Sequence, residues 1–307
     1  MAYKISFMNN KGGVGKTVLT VNVAAALTQV PTKSRVLVID MDPQGNAGSY
    51  LLKGAVDREE KDRERDLGVL LKDPSHPIKD LIYTYQYYTE EKAPKTNGKA
   101  QHIPRIEDED DDSDTKNKFF TWHDVENLKI IPAFEAIRFD FESDAFLASL
   151  DRELLKEAIR PIEADFDFIL FDCPPALNKL SQMALMASDY VVMPIKPGEF
   201  EIIGMHAMLD VIQKFSEAHN HALDFKVVMN QYRNGSKKHS EYFLKLNEAL
   251  GDILANTTMN LAEEITGSIK ANLPVIFSNK SVVKKDFFAL AKDLVKDLKR
   301  MEASNAK

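Results

Sequence analysis

The sequence predicts an α/β fold, with a mostly parallel central sheet and helices on both faces. Short, β-branched apolar runs recur at residues 35–40, 166–172, 190–195 and 225–229. Helical stretches separate these runs, and a strand apolar along its whole length is one that a parallel sheet buries on both faces. Each run ends at a polar or Pro/Gly-containing segment, and open α/β sheets hold ligands at the carboxyl ends of their strands.

The elements follow in order. Residues 4–8 alternate apolar and polar, then enter a Gly-rich turn, and residues 17–29 continue with helical character (Val18, Val21, Asn22, Ala25, Ala26). The run at 35–40 ends on a carboxylate, Asp40. Residues 53–120 break the rhythm. They are charged at 57–65, carry Tyr83, Tyr85, Tyr87 and Tyr88, and then turn acidic, with seven acids and one base over 105–114. This stretch is expected to be an insertion in a single domain spanning 1–307. A mobile acidic loop is expected at about 91–118, and the alternating tyrosines read as an edge strand in a structural hairpin. Near the C-terminus, Val283, Phe287, Leu290, Leu294, Leu298 and Met301 share one helical face with lysines opposite. Asp286, Asp293 and Asp297 on the polar side favour a terminal helix packed on the sheet over a membrane-targeting one.

Composition narrows the class. With 44% hydrophobic and 28% charged residues, the chain is no collagen, disordered tail or disulfide scaffold. Cys173 is the single cysteine, so an intrachain disulfide and a Cys-rich metal site are excluded and a reducing cytosol is expected. No apolar run reaches the ~20 residues of a membrane span. The first residues lack the apolar core of a signal peptide, so a cytoplasmic protein is expected. The net charge of −7 hides an asymmetry: residues 225–307 hold fourteen Lys/Arg against nine Asp/Glu.

The chemistry concentrates in three places. Lys11-Gly12-Gly13-Val14-Gly15-Lys16-Thr17 follows a strand and opens a helix, the context of a P-loop. Its glycines let backbone N–H groups turn inward around phosphate oxygens, Lys16 supplies a point charge, and the Thr17 hydroxyl is placed for Mg²⁺. Asn10 stands where the common pattern has its first glycine, and the loop carries an extra lysine, Lys11. Asp40 and Asp42, at the second strand's end, can meet a metal's waters and a nucleophilic water. Asp172, after an apolar strand, is the Walker B arrangement that holds Mg²⁺ through water. Cys173 beside it reads as a small buried residue.

Together these motifs resemble the ParA/MinD branch of P-loop ATPases with a deviant Walker A motif, and Asp42-Pro43-Gln44-Gly45-Asn46 is most similar to ParA partition ATPases. The resemblance covers most of the chain outside 53–120. It implies a P-loop NTPase architecture using ATP and Mg²⁺. Lys11 would cross a dimer interface to the partner subunit's ATP, with Lys16 and Asp42 as the other catalytic residues, Asp42 positioning the attacking water. Thr17, Asp40 and Asp172 would surround the metal. The loop from Lys11 to Thr17 with Val18 would hold the phosphates, and Asn230 and Pro274 the adenine. Val18 replaces a second threonine frequent in the family, which removes one hydroxyl near the α-phosphate. The family's DNA-binding arginine near the Pro-Val turn has no clear equivalent, because Glu263 and Glu264 lie there. Arg233 matches another basic position, and Lys237, Lys238, Lys270, Lys280, Lys284 and Lys285 are candidate substitutes.

The function implied is DNA partition: an ATP-dependent homodimer binds nonspecific DNA near the nucleoid, and a ParB-like centromere-binding partner stimulates slow hydrolysis. A chain that starts directly at its first strand leads us to expect nonspecific rather than operator binding. The alternative is a MinD-like membrane-associated or cargo-positioning ATPase without DNA binding, and the polar end of the last helix counts against it. A nitrogenase-iron-protein type of reductase would need two cluster cysteines. A metabolic kinase fits poorly with Lys11 and the Asp42-Pro43-Gln44 turn, and the histidines are scattered.

Overall fold

The computed structural model describes residues 1–29, 33–52, 65–92, 118–133, 144–278 and 281–305. Seven strands form one sheet: β1 (Tyr3–Phe7), β2 (Val36–Asp40), β3 (Tyr83–Lys92), β4 (Lys118–Ile131), β5 (Phe168–Asp172), β6 (Tyr190–Ile195) and β7 (Asp224–Met229), in the order β3-β4-β2-β5-β1-β6-β7. All neighbours are parallel except the edge pair β3 and β4. Residues of β2 are buried throughout and alternate between faces. Leu37 and Ile39 face a core with Leu155, Met183 and Met205, whereas Val36 and Val38 face one with Leu19, Val23 and Leu294.

The helices supplying those two faces are α1 (Lys16–Leu27), α2 (Asn46–Leu52), α3 (Leu67–Lys72), α4 (Asp144–Ser149), α5 (Leu154–Ile159), α6 (Lys179–Ala187), α7 (Glu199–His219), α8 (Lys237–Leu250), α9 (Glu263–Lys270) and α10 (Lys284–Asn305). Several begin on side-chain caps that satisfy otherwise orphaned N–H groups: Asp66 accepts from Gly68 N (2.9 Å), Asn178 from Ser181 N (3.2 Å) and Ser236 from His239 N (3.3 Å). The C-terminal helix packs on α1, burying Phe287, Leu290, Leu294 and Leu298, so its apolar face is consumed by the core. None of the described helices is long and apolar enough to cross a membrane.

Sheet register positions the site. Asp40 pairs with Asp172, and Phe7, the last residue of β1, also pairs with Asp172. Three strands, the third more than a hundred residues from the first two in the chain, thus release their carboxyl ends side by side.

The tyrosine-bearing stretch is the antiparallel edge strand β3. Tyr85 is buried, stacks on Phe277 with ring centroids 5.6 Å apart, and donates its hydroxyl to Asn272 O (3.2 Å). Most of the loop expected at 91–118 falls on residues 93–117, which lie outside the described residues, as do 53–64.

Candidate functional site

The loop between β1 and α1 turns through two left-handed glycines, Gly13 (φ 70°) and Gly15 (φ 90°). Gly15 is doubly constrained, since a Cβ there would lie 2.2 Å from Asn230 Nδ2. That amide explains the closeness: Asn230, just after β7, donates to Val14 O (2.7 Å), and Gln231 Nε2 donates to Gly13 O (2.8 Å). Two loop carbonyls are therefore tied off from behind. The loop leads into the N-terminus of α1, whose first turn carries no acid to cancel the positive end of the helix dipole. Such an end takes an anion.

Lys16 is 7% exposed, and its ammonium donates to Lys11 O (3.0 Å). Burial lowers its pKa, against the opposing pull of the Asp172 and Asp42 carboxylates. Thr17 Oγ1 donates to Asp172 Oδ2 (2.7 Å), and Thr20 Oγ1 lies 3.3 Å from Asp172 Oδ1. Asp40, fully buried, accepts from Gly48 N (2.8 Å) and Asp42 N (3.1 Å). Burial pushes the Asp172 carboxyl up to about 7, with hydrogen bonding from Thr17 opposing and the Asp42 charge adding. Burial and the charge of Asp172 also push Asp40 well above the usual carboxylate range.

Two carboxylates and a hydroxyl are hard oxygen donors, the set that suits Mg²⁺, and a divalent cation would offset the burial and repulsion that raise both acids. Among the described residues no group of three or more His, Cys, Asp or Glu could hold a metal unaided. A magnesium ion commonly completes such a partial set with substrate phosphates. Asp42 is 8% exposed, accepts from Gln44 N (3.0 Å) and lines the same space as Lys16 and Thr17.

A cleft of about 460 Å³ opens in front of the loop. Its wall includes Gly12, Gly13, Gly15, Lys16, Thr17, Val18, Asp42 and Gln44, and at the far end Tyr50, Ile269 and Asn272. Val14, Asp40 and Asp172 are buried and are not part of that wall, and three more expected residues stand off it. Asn230 braces the loop from behind, Pro274 is buried in the turn beyond Asn272, and Lys11 points away, donating to Phe200 O (3.0 Å) and lying 3.4 Å from Glu201 Oε2. The sequence missed Thr20, Tyr50, Ile269 and Asn272. Thr20 sits one helical turn past Lys16, a signal that was legible. Tyr50 reaches the site through tertiary contacts, its hydroxyl 2.5 Å from Ser268 Oγ and 3.3 Å from Asn22 Nδ2.

The basic candidates are spread over neighbouring surfaces. Arg233, Lys237 and Lys238 are exposed before and at the start of α8, and Lys285 is exposed at the start of α10 beside half-buried Lys284. Backbone pairing of Tyr232 with Met259 (3.0 Å) and the bond from Asn260 Nδ2 to Asp286 Oδ2 (2.8 Å) bring these two helix starts near each other. Lys270 is exposed at the end of α9, next to Ile269 of the cleft wall. Lys280 lies outside the described residues.

Known proteins resemble this chain in sequence and in fold. The model of the AAA domain family matches residues 2–225. An uncharacterized protein of Pseudomonas putida is 26% identical over 302 residues, 98% of this chain and 97% of that one. The sporulation initiation inhibitor protein Soj of Bacillus subtilis is 30% identical over 210 residues, 68% of this chain and 64% of Soj. In three dimensions the chain superimposes on a putative plasmid partition protein of Borrelia burgdorferi B31 bound to AMPPNP, with a TM-score of 0.69 at 19% identity, covering 97% of this chain and 100% of that one. The loop, the paired strand-end carboxylates and these matches agree: the chain belongs to the AAA domain family, as a ParA-type P-loop ATPase.

Proposed function

We propose that the protein is a DNA-partitioning ATPase working as a nucleotide-dependent dimer. One observation carries this reading: the two lysines of the loop face apart. Lys16 lines its own cleft, whereas Lys11 leaves it for the molecular surface, 33% exposed along its side chain. A cation directed away from its own phosphate site suits contact with a second subunit's nucleotide, and that would make ATP part of the interface.

In this scheme the loop N–H groups and Lys16 bind the phosphates of ATP. Thr17, Asp172 and Asp40 would hold Mg²⁺, which would supply positive charge against the phosphate oxygens. Asp42 orients the attacking water, and Lys11 from the other subunit stabilises the charge that develops on the transferred group. Slow turnover follows from a water that a single subunit organises incompletely, and a centromere-binding partner of the ParB kind would accelerate it. The dimer would place the surfaces around Arg233, Lys237, Lys238, Lys270, Lys284 and Lys285 on nucleoid DNA in the cytoplasm, contacting phosphates without reading bases.

The test is binding to a nonspecific DNA duplex in Mg-ATP and in Mg-ADP across a salt titration. We expect ATP-dependent binding whose log affinity falls with log salt by about 0.9 per phosphate contact. ATP hydrolysis without DNA binding in either state would overturn the partition reading and direct the search to liposomes, the surface a MinD-like ATPase would use.

A further inference from the structure

Lys11 is not merely pointed outward; it is bound to its own subunit. Its ammonium donates to Phe200 O (3.0 Å) and lies 3.4 Å from Glu201 Oε2, both in the first turn of α7. Its aliphatic stem lies against Gly204, one turn further on. A Cβ at that glycine would sit 3.1 Å from Lys11 Cε and 3.5 Å from Nζ. Among the described residues Glu201 Oε2 is shielded from solvent and finds no hydrogen bond, so the ammonium 3.4 Å away supplies its compensation. The helix thus offers the lysine a carbonyl, a carboxylate and a gap for its stem.

We infer that the first turn of α7 is a latch, in which Glu201 and Gly204 act as positioning residues that hold Lys11 in cis. The latch sets how readily Lys11 is released to a second copy of this chain. One ammonium cannot serve Glu201 and a neighbouring subunit's phosphates together, so whatever stabilises the latched form is subtracted from dimerisation. The inference rests on the proposed trans role of Lys11. It adds a residue-level control: the protein resists dimerising until the nucleotide in the partner's cleft outcompetes a carboxylate in its own subunit.

Two variants open the latch by different routes. Glu201→Gln keeps the shape and removes the charge, and Gly204→Val evicts the lysine stem while leaving Glu201 in place. Each is compared with wild type by sedimentation in Mg²⁺ and AMPPNP, alongside nucleotide affinity measured below the dimerising concentration. A partly exposed ion pair is worth a factor of about two to five, and two latches open per dimer. The dimer dissociation constant is therefore expected to fall about four- to twenty-fivefold with nucleotide affinity unchanged. A merely structural Glu201 would leave dimerisation where it was or weaken it. Wild-type dimerisation in both variants, or a gain matched by tighter nucleotide binding to the monomer, overturns the latch while leaving the trans-lysine reading standing. A wild-type protein that does not dimerise with AMPPNP, or a Lys11→Ala variant that dimerises normally, overturns both.

Discussion

Lys16 occupies an expensive position. It is buried beside Asp172 and Asp42, and burial alone would favour the neutral amine. The two carboxylates oppose that shift, so lysine and acids form one interacting group beside the cleft. Lys16→Ala is expected to weaken Mg-ATP binding by about 10- to 100-fold, the loss of charge-assisted hydrogen bonds. Calorimetric titration checks this, and wild-type affinity would remove the loop from the phosphate site. Next to it, Val18 has no hydroxyl to offer, a difference of about 1 kcal/mol for one neutral hydrogen bond. The loop's own residue types were legible because glycine, lysine and threonine at fixed spacing have few uses besides phosphate. The tying of Val14 and Gly13 carbonyls by Asn230 and Gln231 was not legible, because residues more than two hundred positions away supply those amides.

At the scale of elements, α10 shows how a correct pattern can mislead about individual residues. Its apolar periodicity was plain in the sequence, and the face is buried on α1. The sequence places its aspartates on the polar side, and two of them reach inward-facing partners. Asp286, 6% exposed, accepts from Asn260, and Asp297 lies 2.6 Å from the Lys226 ammonium and accepts from the Tyr190 hydroxyl (3.1 Å). Helical periodicity assigns a side, and only packing shows how near β6 and β7 come to its margin. Lys226 is itself buried and also donates to Asp252 O (2.7 Å). Removing Asp297 would take away the acid in direct contact with that ammonium and leave it only the weaker field of Asp293, so Asp297→Ala is expected to cost about 3 kcal/mol. Urea unfolding with an unchanged slope reads it out, and a loss below about 1 kcal/mol would show that α10 docks on its apolar face alone. The edge strand β3 likewise looked like a strand from its alternation, but its attachment through Tyr85 to Asn272 and Phe277 depends on a turn from the other end of the chain.

For the whole molecule, the strand order is what makes a machine of these parts. With β1 between β5 and β6, and β2 on the far side of β5, the loop, Asp172 and Asp40 with Asp42 fall in sequence along one edge. The opening end of α7 then carries Lys11 to the molecule's surface. If Asp42 orients the water in each half of a dimer, Asp42→Ala should bind ATP, dimerise and stay dimeric because hydrolysis no longer separates the subunits. A persistent dimer in Mg-ATP by sedimentation, with turnover lost, is the expected result. Wild-type turnover would place the water elsewhere.

The sequence by itself determined the fold class, the phosphate loop, the three aspartates and the apolar face of the last helix. Each depends on residue type at short spacing, and short spacing is what local backbone geometry reads. Only the tertiary structure decided that Asn230 braces the loop instead of lining the cleft, that Tyr50, Ile269 and Asn272 form its far wall, and that Lys11 rests on Glu201. Those are distances between segments far apart in the chain, fixed by sheet register and helix packing, and no local pattern encodes them.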